Sequence, residues 1–107
     1  MIKKNKVVKI AIHGAAGRMG CRLVALTGAD PNLELACAMD RAEHPRQGED
    51  SGTLAGDEPN GVPLTGQLAD CDAVIDFSLP EAVEAILQEC VQRKIPLVVA
   101  TTGFDDS

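Results

Sequence analysis

The sequence predicts an α/β fold, a doubly wound, mostly parallel sheet in a single domain. Two observations predict it. Segments typical of buried strands and of amphipathic helices follow one another as β-α-β, then a loop with a short strand, then β-α-β. Apolar residues make up 45% of the 107 residues but aromatic residues only 2%, so Val, Ile, Leu and Ala must build the core, as in parallel sheets covered by helices.

The first β-α-β unit occupies residues 7–39. Residues 7–12 are mostly apolar, which predicts a buried strand, and apolar positions at helical spacing predict a helix over Arg18–Ala29. Those helix positions are Met19, Leu23 and Leu26. The helix is expected to end at Gly28, Asp30 and Pro31, and Leu33–Met39 to form the second strand.

The rest of the chain predicts a short edge strand and a second β-α-β unit. Residues 41–60 are polar and rich in Gly and Pro, which predicts a long surface loop, and Pro63 restricts a strand over 62–65 to an edge. Residues 73–77 predict a buried strand, 79–93 an amphipathic helix and 97–101 a last strand. The helix would begin with a capping box of Ser78 and Glu81 and present one apolar face, formed by Val83, Ile86, Leu87, Cys90 and Val91.

Three glycines follow the first predicted strand at intervals of three, Gly14, Gly17 and Gly20, and Asp40 follows the last of them by twenty positions. This is the layout of a Rossmann-like unit that binds a dinucleotide. We expect Gly14 to allow a tight turn, Gly17 to leave the backbone bare for a diphosphate, and Gly20 to let helix and strand pack closely. The phosphates would lie on free N–H groups at the positive end of the helix.

The end of the second predicted strand carries an adjacent acid and base. Asp40 is placed to accept hydrogen bonds from an adenosine ribose, and Arg41 to pair with a 2′-phosphate. Together they predict tolerance of both NAD and NADP. The alternative is an ordinary exposed ion pair at the start of the loop, and Arg18 has a similar choice between a phosphate contact and a solvated position.

The histidines and cysteines predict no catalytic group. His13 precedes the glycine turn and could reach a diphosphate, but the sequence offers it no carboxylate partner, so we interpret it as a strand-end histidine with its hydrogen bonds satisfied. The cysteines lack C-x-x-C spacing, which favours small buried residues in a reducing cytosol over a disulfide framework, and no metal site is expected. They are Cys21, Cys37, Cys71 and Cys90.

Charge and hydropathy exclude two classes of partner. The net charge is −6, so a nucleic-acid duplex is not expected to bind, because the chain has few cations to replace its counterions. No apolar run is long enough to span a bilayer, and the basic start of the chain lacks the apolar stretch of a signal peptide. We therefore expect a cytoplasmic protein without membrane contacts.

Four segments, taken in order, carry a resemblance to a known family. They are GAAGRMG at 14–20, Asp40-Arg41, DFSLPE at 76–81 and ATTGF at 100–104. From residue 9 to residue 105 the chain closely resembles the 4-hydroxy-tetrahydrodipicolinate reductase family, formerly called dihydrodipicolinate reductases. The resemblance implies reduction of a cyclic unsaturated imine by NADPH or NADH, in the diaminopimelate route to lysine.

The resemblance also implies roles for individual residues. The turn around the diphosphate would comprise Gly14, Ala15, Ala16, Gly17, Arg18 and Met19. Asp40 would accept the ribose hydroxyls and Arg41 would bind the 2′-phosphate. The segment under the nicotinamide would comprise Ala100, Thr101 and Thr102, with Ala100 where the family often has glycine. His13 likewise stands where a small residue is common.

Family members carry a further domain that binds the substrate dicarboxylate, supplies the proton and builds a tetramer. We therefore expect residues 1–107 to be a dinucleotide-binding domain without catalytic residues of its own, and a homo-oligomer, a tetramer, for the full-length enzyme. Two alternatives stay open. One is a nucleotide- or CoA-binding module without redox activity, and the other is the cofactor domain of another NAD(P)-dependent dehydrogenase, such as one acting on a semialdehyde.

Overall fold

The computed structural model describes the backbone of residues 7–78 and 80–100, and the side chains of these residues apart from 80–82. Strands and helices alternate along this part of the chain. They are β1 (Val8–His13), α1 (Arg18–Ala29), β2 (Leu33–Met39), α2 (Ser51–Leu54), β3 (Leu64–Thr65), β4 (Ala73–Asp76), α3 (Pro80–Arg93) and β5 (Leu97–Val99). The order of elements is the one predicted, with α2 as an addition.

The five strands form one sheet in the order β3-β2-β1-β4-β5, and every pairing is parallel. The predicted doubly wound fold is thus confirmed. The chain runs outward from β1 through β2 to β3, and then returns to the other side of β1 to form β4 and β5. The strand order therefore reverses between β1 and β4, which is where such sheets open a ligand crevice beyond the strands' carboxyl ends.

Hydrophobic clusters cover both faces of the sheet, because successive side chains of a buried strand point to opposite sides. Ile10 and Ile12 of β1 belong to one cluster together with Val24 of α1. Ala11, between them, belongs to the other cluster together with Ile86 of α3. Burial on both faces explains why β1 is apolar at each position from Ile10 to Ile12.

Helix α1 has the predicted bounds but a different buried face. Gly20, Val24 and Thr27 are buried, whereas Met19 is 48% and Leu26 is 61% exposed, so the predicted apolar face was wrong in these two positions. The physical reason is the absence of a side chain at Gly20, which lets the start of the helix lie against the glycine turn and rotates its neighbours outward. The Thr27 hydroxyl is satisfied by donating to the Leu23 carbonyl at 2.7 Å.

The predicted surface loop over 41–60 is partly wrong, because it contains helix α2 and buried residues. Ser51 and Gly52 are buried, and a Cβ on Gly52 would lie 2.2 Å from the Glu58 carbonyl oxygen. Asp50 caps α2 by accepting from the Thr53 amide, at 3.0 Å. The predicted edge strand is confirmed as β3, which among the strands of the described residues pairs with β2, while Leu64 also exchanges hydrogen bonds with Gly48 and Glu49.

The second unit follows the prediction with narrower bounds. Strand β4 ends at Asp76, and Ile86 and Cys90 of α3 are buried as predicted, whereas Leu87 and Val91 are exposed. Of the predicted capping box, the Ser78 hydroxyl donates to the Asp76 carboxylate, and the side chain of Glu81 lies outside the described residues. Within residues 7–78 and 80–100, no helix is both long and apolar enough to cross a membrane.

Candidate functional site

A cleft of about 500 Å³ opens where the strand order reverses. Its walls come from the ends of three neighbouring strands. The glycine turn after β1 contributes His13, Gly14, Ala16 and Gly17, the segment after β2 contributes Asp40, Arg41, Glu43 and His44, and the end of β4 contributes Phe77 and Ser78. The structure therefore brings the glycine motif and the Asp40-Arg41 pair to one site.

Gly14 makes the turn at the end of β1. Its φ of +87° lies in the left-handed region that side chains rarely adopt. A Cβ at this position would lie 2.9 Å from both the Phe77 carbonyl carbon and the Ser78 amide nitrogen. The predicted tight turn is present, and it also lets the chain after β4 approach the turn closely.

Gly20 and Gly17 lack a side chain for different reasons. The prediction for Gly20 was close packing of helix and strand; in the structure the close contact is with the turn that follows β1, since a Cβ on Gly20 would lie 2.1 Å from the Gly14 carbonyl oxygen. A Cβ on Gly17 would meet only that same oxygen, at the ordinary distance of 3.4 Å. Since the protein itself has room for a side chain at residue 17, its exposed backbone is free for another molecule to approach.

The amides of the turn itself are already paired. Gly14 and Ala15 donate to the Met39 carbonyl at 2.8 and 2.9 Å, Gly17 donates to the Gly14 carbonyl at 3.0 Å, and Ala16 donates to an Asp40 carboxylate oxygen at 3.1 Å. These four predicted binding residues therefore shape the turn through their amides. Any diphosphate contact has to come from the amides that follow.

Those following amides belong to the first turn of α1. Gly17 is the N-cap residue and no side chain caps the helix. Within the part of the chain that the structure describes, the amides of Arg18, Met19 and Gly20 donate no hydrogen bond. Unpaired N–H groups at the positive end of a helix form a favourable environment for an anion.

Asp40 connects the end of β2 to the glycine turn. One of its oxygens accepts from the Ala16 amide, and the other accepts from the Arg41 amide at 2.9 Å. A carboxylate has about four lone-pair sites, so both oxygens keep the capacity to accept hydroxyl donors from a ligand. The two amide bonds fix the direction of the carboxylate at the edge of the cleft.

Arg41 is held only loosely. Its Nε lies 3.5 Å from the Glu43 carboxylate, and the two side chains are 56% and 75% exposed, so solvent screens the pair and it contributes little stability. The guanidinium is therefore free to turn toward an anion. The Gln47 side chain holds the backbone of this segment in place by donating to the Asp40 and Arg41 carbonyls, at 3.1 and 2.8 Å.

The structure also reveals a polar cluster that sequence reasoning missed. His13 and Asp76 are register partners on β1 and β4, and the His13 Nδ1 lies 3.3 Å from an Asp76 carboxylate oxygen. Ser78 donates to the same oxygen from its amide at 2.7 Å and from its hydroxyl at 2.5 Å. The interpretation of His13 as a histidine without a carboxylate partner was thus wrong. The available signal was an aspartate ending an otherwise apolar strand.

The environment of Asp76 favours its ionised form. Burial by itself would raise the pKa of this carboxyl, but the nearby His13 ring and the hydrogen bonds from Ser78 outweigh burial and hold the pKa below its usual range. Asp76 is fully buried. The cluster therefore places a negative charge beneath the β4 side of the cleft.

The predicted nicotinamide segment lies only partly within the described residues. Ala100 follows β5, and its amide donates to the Asp76 carbonyl at 2.9 Å, which places the end of β5 beside the polar cluster. Thr101 and Thr102 lie outside the described residues. Their assignment to the cofactor stays a prediction.

The cysteines form no disulfide, and Cys37 and Cys90 are buried as predicted while Cys21 and Cys71 are partly buried. Burial raises the pKa of all four thiols, which keeps them protonated and unreactive near neutral pH. Residues 7–78 and 80–100 contain no group of three or more His, Cys, Asp or Glu side chains that could hold a metal ion.

Comparison with known proteins identifies relatives over most of the chain. Proteins named 4-hydroxy-tetrahydrodipicolinate reductase are 49% identical in Rhodopirellula baltica and 44% identical in both Anaeromyxobacter dehalogenans strain 2CP-1 and Methylococcus capsulatus. Each alignment covers 92% of this chain and 38% of the relative. The chain thus spans little more than a third of the length of these relatives.

A solved structure supports the fold. The aspartate semialdehyde dehydrogenase of Candida albicans, crystallised with NADP, matches 91% of this chain and 30% of its own with a TM-score of 0.71, at 17% sequence identity. That likeness concerns the fold alone. The family model for the N-terminus of dihydrodipicolinate reductase matches residues 8–107. With that match and relatives at up to 49% identity, the chain belongs to the dihydrodipicolinate reductase family.

Proposed function

We propose that this protein supplies the NAD(P)H-binding domain of a reductase that acts on a cyclic dihydrodipicolinate-type imine in the diaminopimelate route to lysine. The names of its relatives support the reaction, and the cleft supports the cofactor. One observation carries the proposal. Among the described residues, three unpaired amides begin α1 beside Gly17, where a Cβ would touch only the Gly14 carbonyl oxygen, at 3.4 Å.

When bound, the reduced nicotinamide supplies the hydride, and this chain's residues bind and orient the dinucleotide. The amides of Arg18, Met19 and Gly20 would hold the diphosphate at the positive end of α1. Asp40 would accept the adenosine ribose hydroxyls. Thr101 and Thr102 would support the nicotinamide. We assign the binding of the substrate dicarboxylate and the donation of the proton to a further domain of the enzyme. We expect the whole enzyme to be a homotetramer in the cytoplasm.

The decisive test is a calorimetric titration of the purified protein with NADH and NADPH, comparing wild type with Gly17→Ala. The new methyl group has room in the protein but intrudes on the space for a diphosphate, so we expect each affinity to fall about tenfold or more, or about 1.4 kcal/mol. The melting temperature should change little.

Gly28→Ala is the matched control, because Gly28 lies in the same helix and a Cβ there has nothing within 4 Å. It should leave both affinities unchanged. Equal affinities for Gly17→Ala and wild type would remove the physical basis of the proposal. Binding of CoA or ADP with no heat from NADH or NADPH would favour a nucleotide-binding module without redox activity.

We further propose that both NADH and NADPH bind, and that Arg41 and Glu43 set the balance between them. Glu43 competes with a 2′-phosphate for the Arg41 guanidinium and repels that phosphate. We therefore expect Glu43→Gln to raise the affinity for NADPH several-fold and Arg41→Gln to lower it, with little effect on NADH. Parallel titrations with the two nucleotides check this, and equal changes for both would contradict it.

A further inference from the structure

The pair formed by His13 and Asp76 lies at the reversal of strand order, and the cofactor contacts proposed for the glycine turn and Asp40 do not involve it. The His13 side chain is 10% exposed and the Asp76 side chain is fully buried. His13 nevertheless lines the cleft. A buried acid and an imidazole therefore meet directly beneath the place where a dinucleotide would cross from β1 to β4.

The pair is not fully satisfied within the described residues. The 3.3 Å contact between Nδ1 and the carboxylate is not aligned as a hydrogen bond, and both His13 Nδ1 and the second Asp76 oxygen are buried without a hydrogen-bond partner. Buried polar atoms without partners cost free energy, and a native fold retains few of them. An arrangement that only served packing would favour apolar side chains here, as at neighbouring positions of β1.

The chemistry of the pair determines which ring nitrogen can serve a ligand. An ionised Asp76 only accepts hydrogen bonds, so Nδ1, the nitrogen that faces it, carries the ring hydrogen. With its hydrogen on Nδ1, the ring has its lone pair on Nε2. Nε2 is also the ring nitrogen left to reach the cleft, since Nδ1 is buried against Asp76. His13 thus presents Nε2 to the cleft as a hydrogen-bond acceptor, while Asp76 lies against Nδ1 on the other side of the ring.

The sheet order indicates which part of the ligand meets that acceptor. Asp40 marks the adenosine side, at the end of β2, and β4 lies on the opposite side of β1. A dinucleotide whose diphosphate lies at α1 therefore extends its other half over the end of β4. The negative charge of Asp76 disfavours a phosphate there, whereas a hydroxyl can donate to the lone pair on His13 Nε2.

We propose that His13 is a positioning residue for the nicotinamide half of the dinucleotide, its Nε2 accepting a hydrogen bond from a hydroxyl of the ribose nearest the nicotinamide. Asp76, itself held by Ser78, lies against Nδ1, and its charge favours the ring position in which Nδ1 faces the carboxylate and Nε2 faces the cleft. The inference rests on the proposed binding of NAD(P)H and adds a specific contact to it. It also explains why a histidine can occupy a strand-end position where a smaller residue would serve the turn equally well.

The test uses three ligands that differ in how far they extend, namely ADP, ADP-ribose and NADH, titrated into wild type, His13→Leu and His13→Gln. ADP ends at the diphosphate, whereas the other two continue into the second ribose. We expect His13→Leu to weaken the binding of ADP-ribose and NADH about tenfold, as for the loss of one hydrogen bond, and to leave ADP binding unchanged. His13→Gln keeps an acceptor of similar reach and should restore part of the loss.

His44→Ala is the matched control, since this second histidine lines the cleft on the adenosine side. Any effect it has should be equal for ADP and ADP-ribose. The proposal is overturned if His13→Leu weakens all three ligands equally or none of them. If wild type binds none of the three ligands, the proposed cofactor function itself fails. If wild type binds these ligands and the His13 variants keep the wild-type ratio of ADP-ribose affinity to ADP affinity, only the proposed role of His13 fails.

Discussion

At the scale of single residues, each of the three glycines of the turn stands in a different structural environment, so each can be tested by its own substitution. Gly14 is required by its positive φ, Gly20 by contact with the protein's own backbone, and Gly17 by neither. Spacing alone predicted the tight turn at Gly14 and close packing at Gly20, because both arise within one short stretch of chain, while the diphosphate contact at Gly17 stays a prediction. Spacing could not predict which amides stay unpaired, since the pairing depends on Met39 and Asp40 from another strand.

Gly20→Ala should destabilise the protein, because its methyl group would lie 2.1 Å from the Gly14 carbonyl oxygen, where only backbone can yield. We expect the free energy of unfolding to fall by about 2 kcal/mol or more, as for other overpacked sites. Urea denaturation of wild type and variant measures this change in the free energy of unfolding. Gly28→Ala in the same helix provides the comparison and should be neutral or slightly stabilising, as expected from helix propensity.

The Asp76 carboxyl should couple stability to pH. Its pKa is lower in the folded state, so its contribution to stability is fully present above the pKa of the unfolded chain, about 3.9, and is lost as the pH falls further. Asp76→Asn should therefore be less stable than wild type at pH 7, and the difference should shrink below about pH 4. Urea titrations between pH 7 and pH 3 test this, and a constant difference would contradict it.

At the scale of elements, the periodicity of the sequence predicted the strands and the two long helices, but it missed α2. Four residues are too few to show a helical period, and the segment is organised by Asp50 instead. Its carboxylate accepts from the amides of Thr53 and Asn60, both at 3.0 Å, and of Gly61 at 2.7 Å. Such a network joins residues on either side of the helix, which a window of local sequence does not reveal.

Asp50→Ala should therefore loosen α2 and the chain that follows it. We expect a lower free energy of unfolding, as for other N-cap residues, and faster hydrogen exchange at the Thr53 and Gly61 amides. Asp70→Ala is a suitable control because Asp70 is fully exposed. Its ion pair with Arg93, at 3.9 Å, is screened by solvent and contributes little to stability. Unchanged exchange at both amides would show that the network does not hold the segment.

At the scale of the whole molecule, the cleft depends on the two halves of the sheet meeting at β1. Residues after β2 form one wall and residues after β4 the other, while α1 begins between them. A ligand that bridges the walls binds the folded chain and not the unfolded one. Its binding free energy is then added to the stability of the fold.

NADH at about one hundred times its Kd should raise the free energy of unfolding by about 2.7 kcal/mol. Thermal melts over a range of NADH concentrations would show this as a rising Tm. Hydrogen exchange should slow at the ends of β1, β2 and β4 together, because the ligand contacts all three. A Tm that does not respond to NADH while ADP raises it would place the binding on the adenosine side only.

The sequence by itself determined the alternation of elements, the glycine turn with its helix, and the acid and base after β2. These features follow from local patterns, since the period of apolar residues and the backbone freedom of glycine act within a few positions. Only the tertiary structure decided which face of α1 is buried, which amides remain free, and that Asp76 lies against His13. Each of these depends on residues far apart in the chain that become neighbours when β4 returns to the other side of β1.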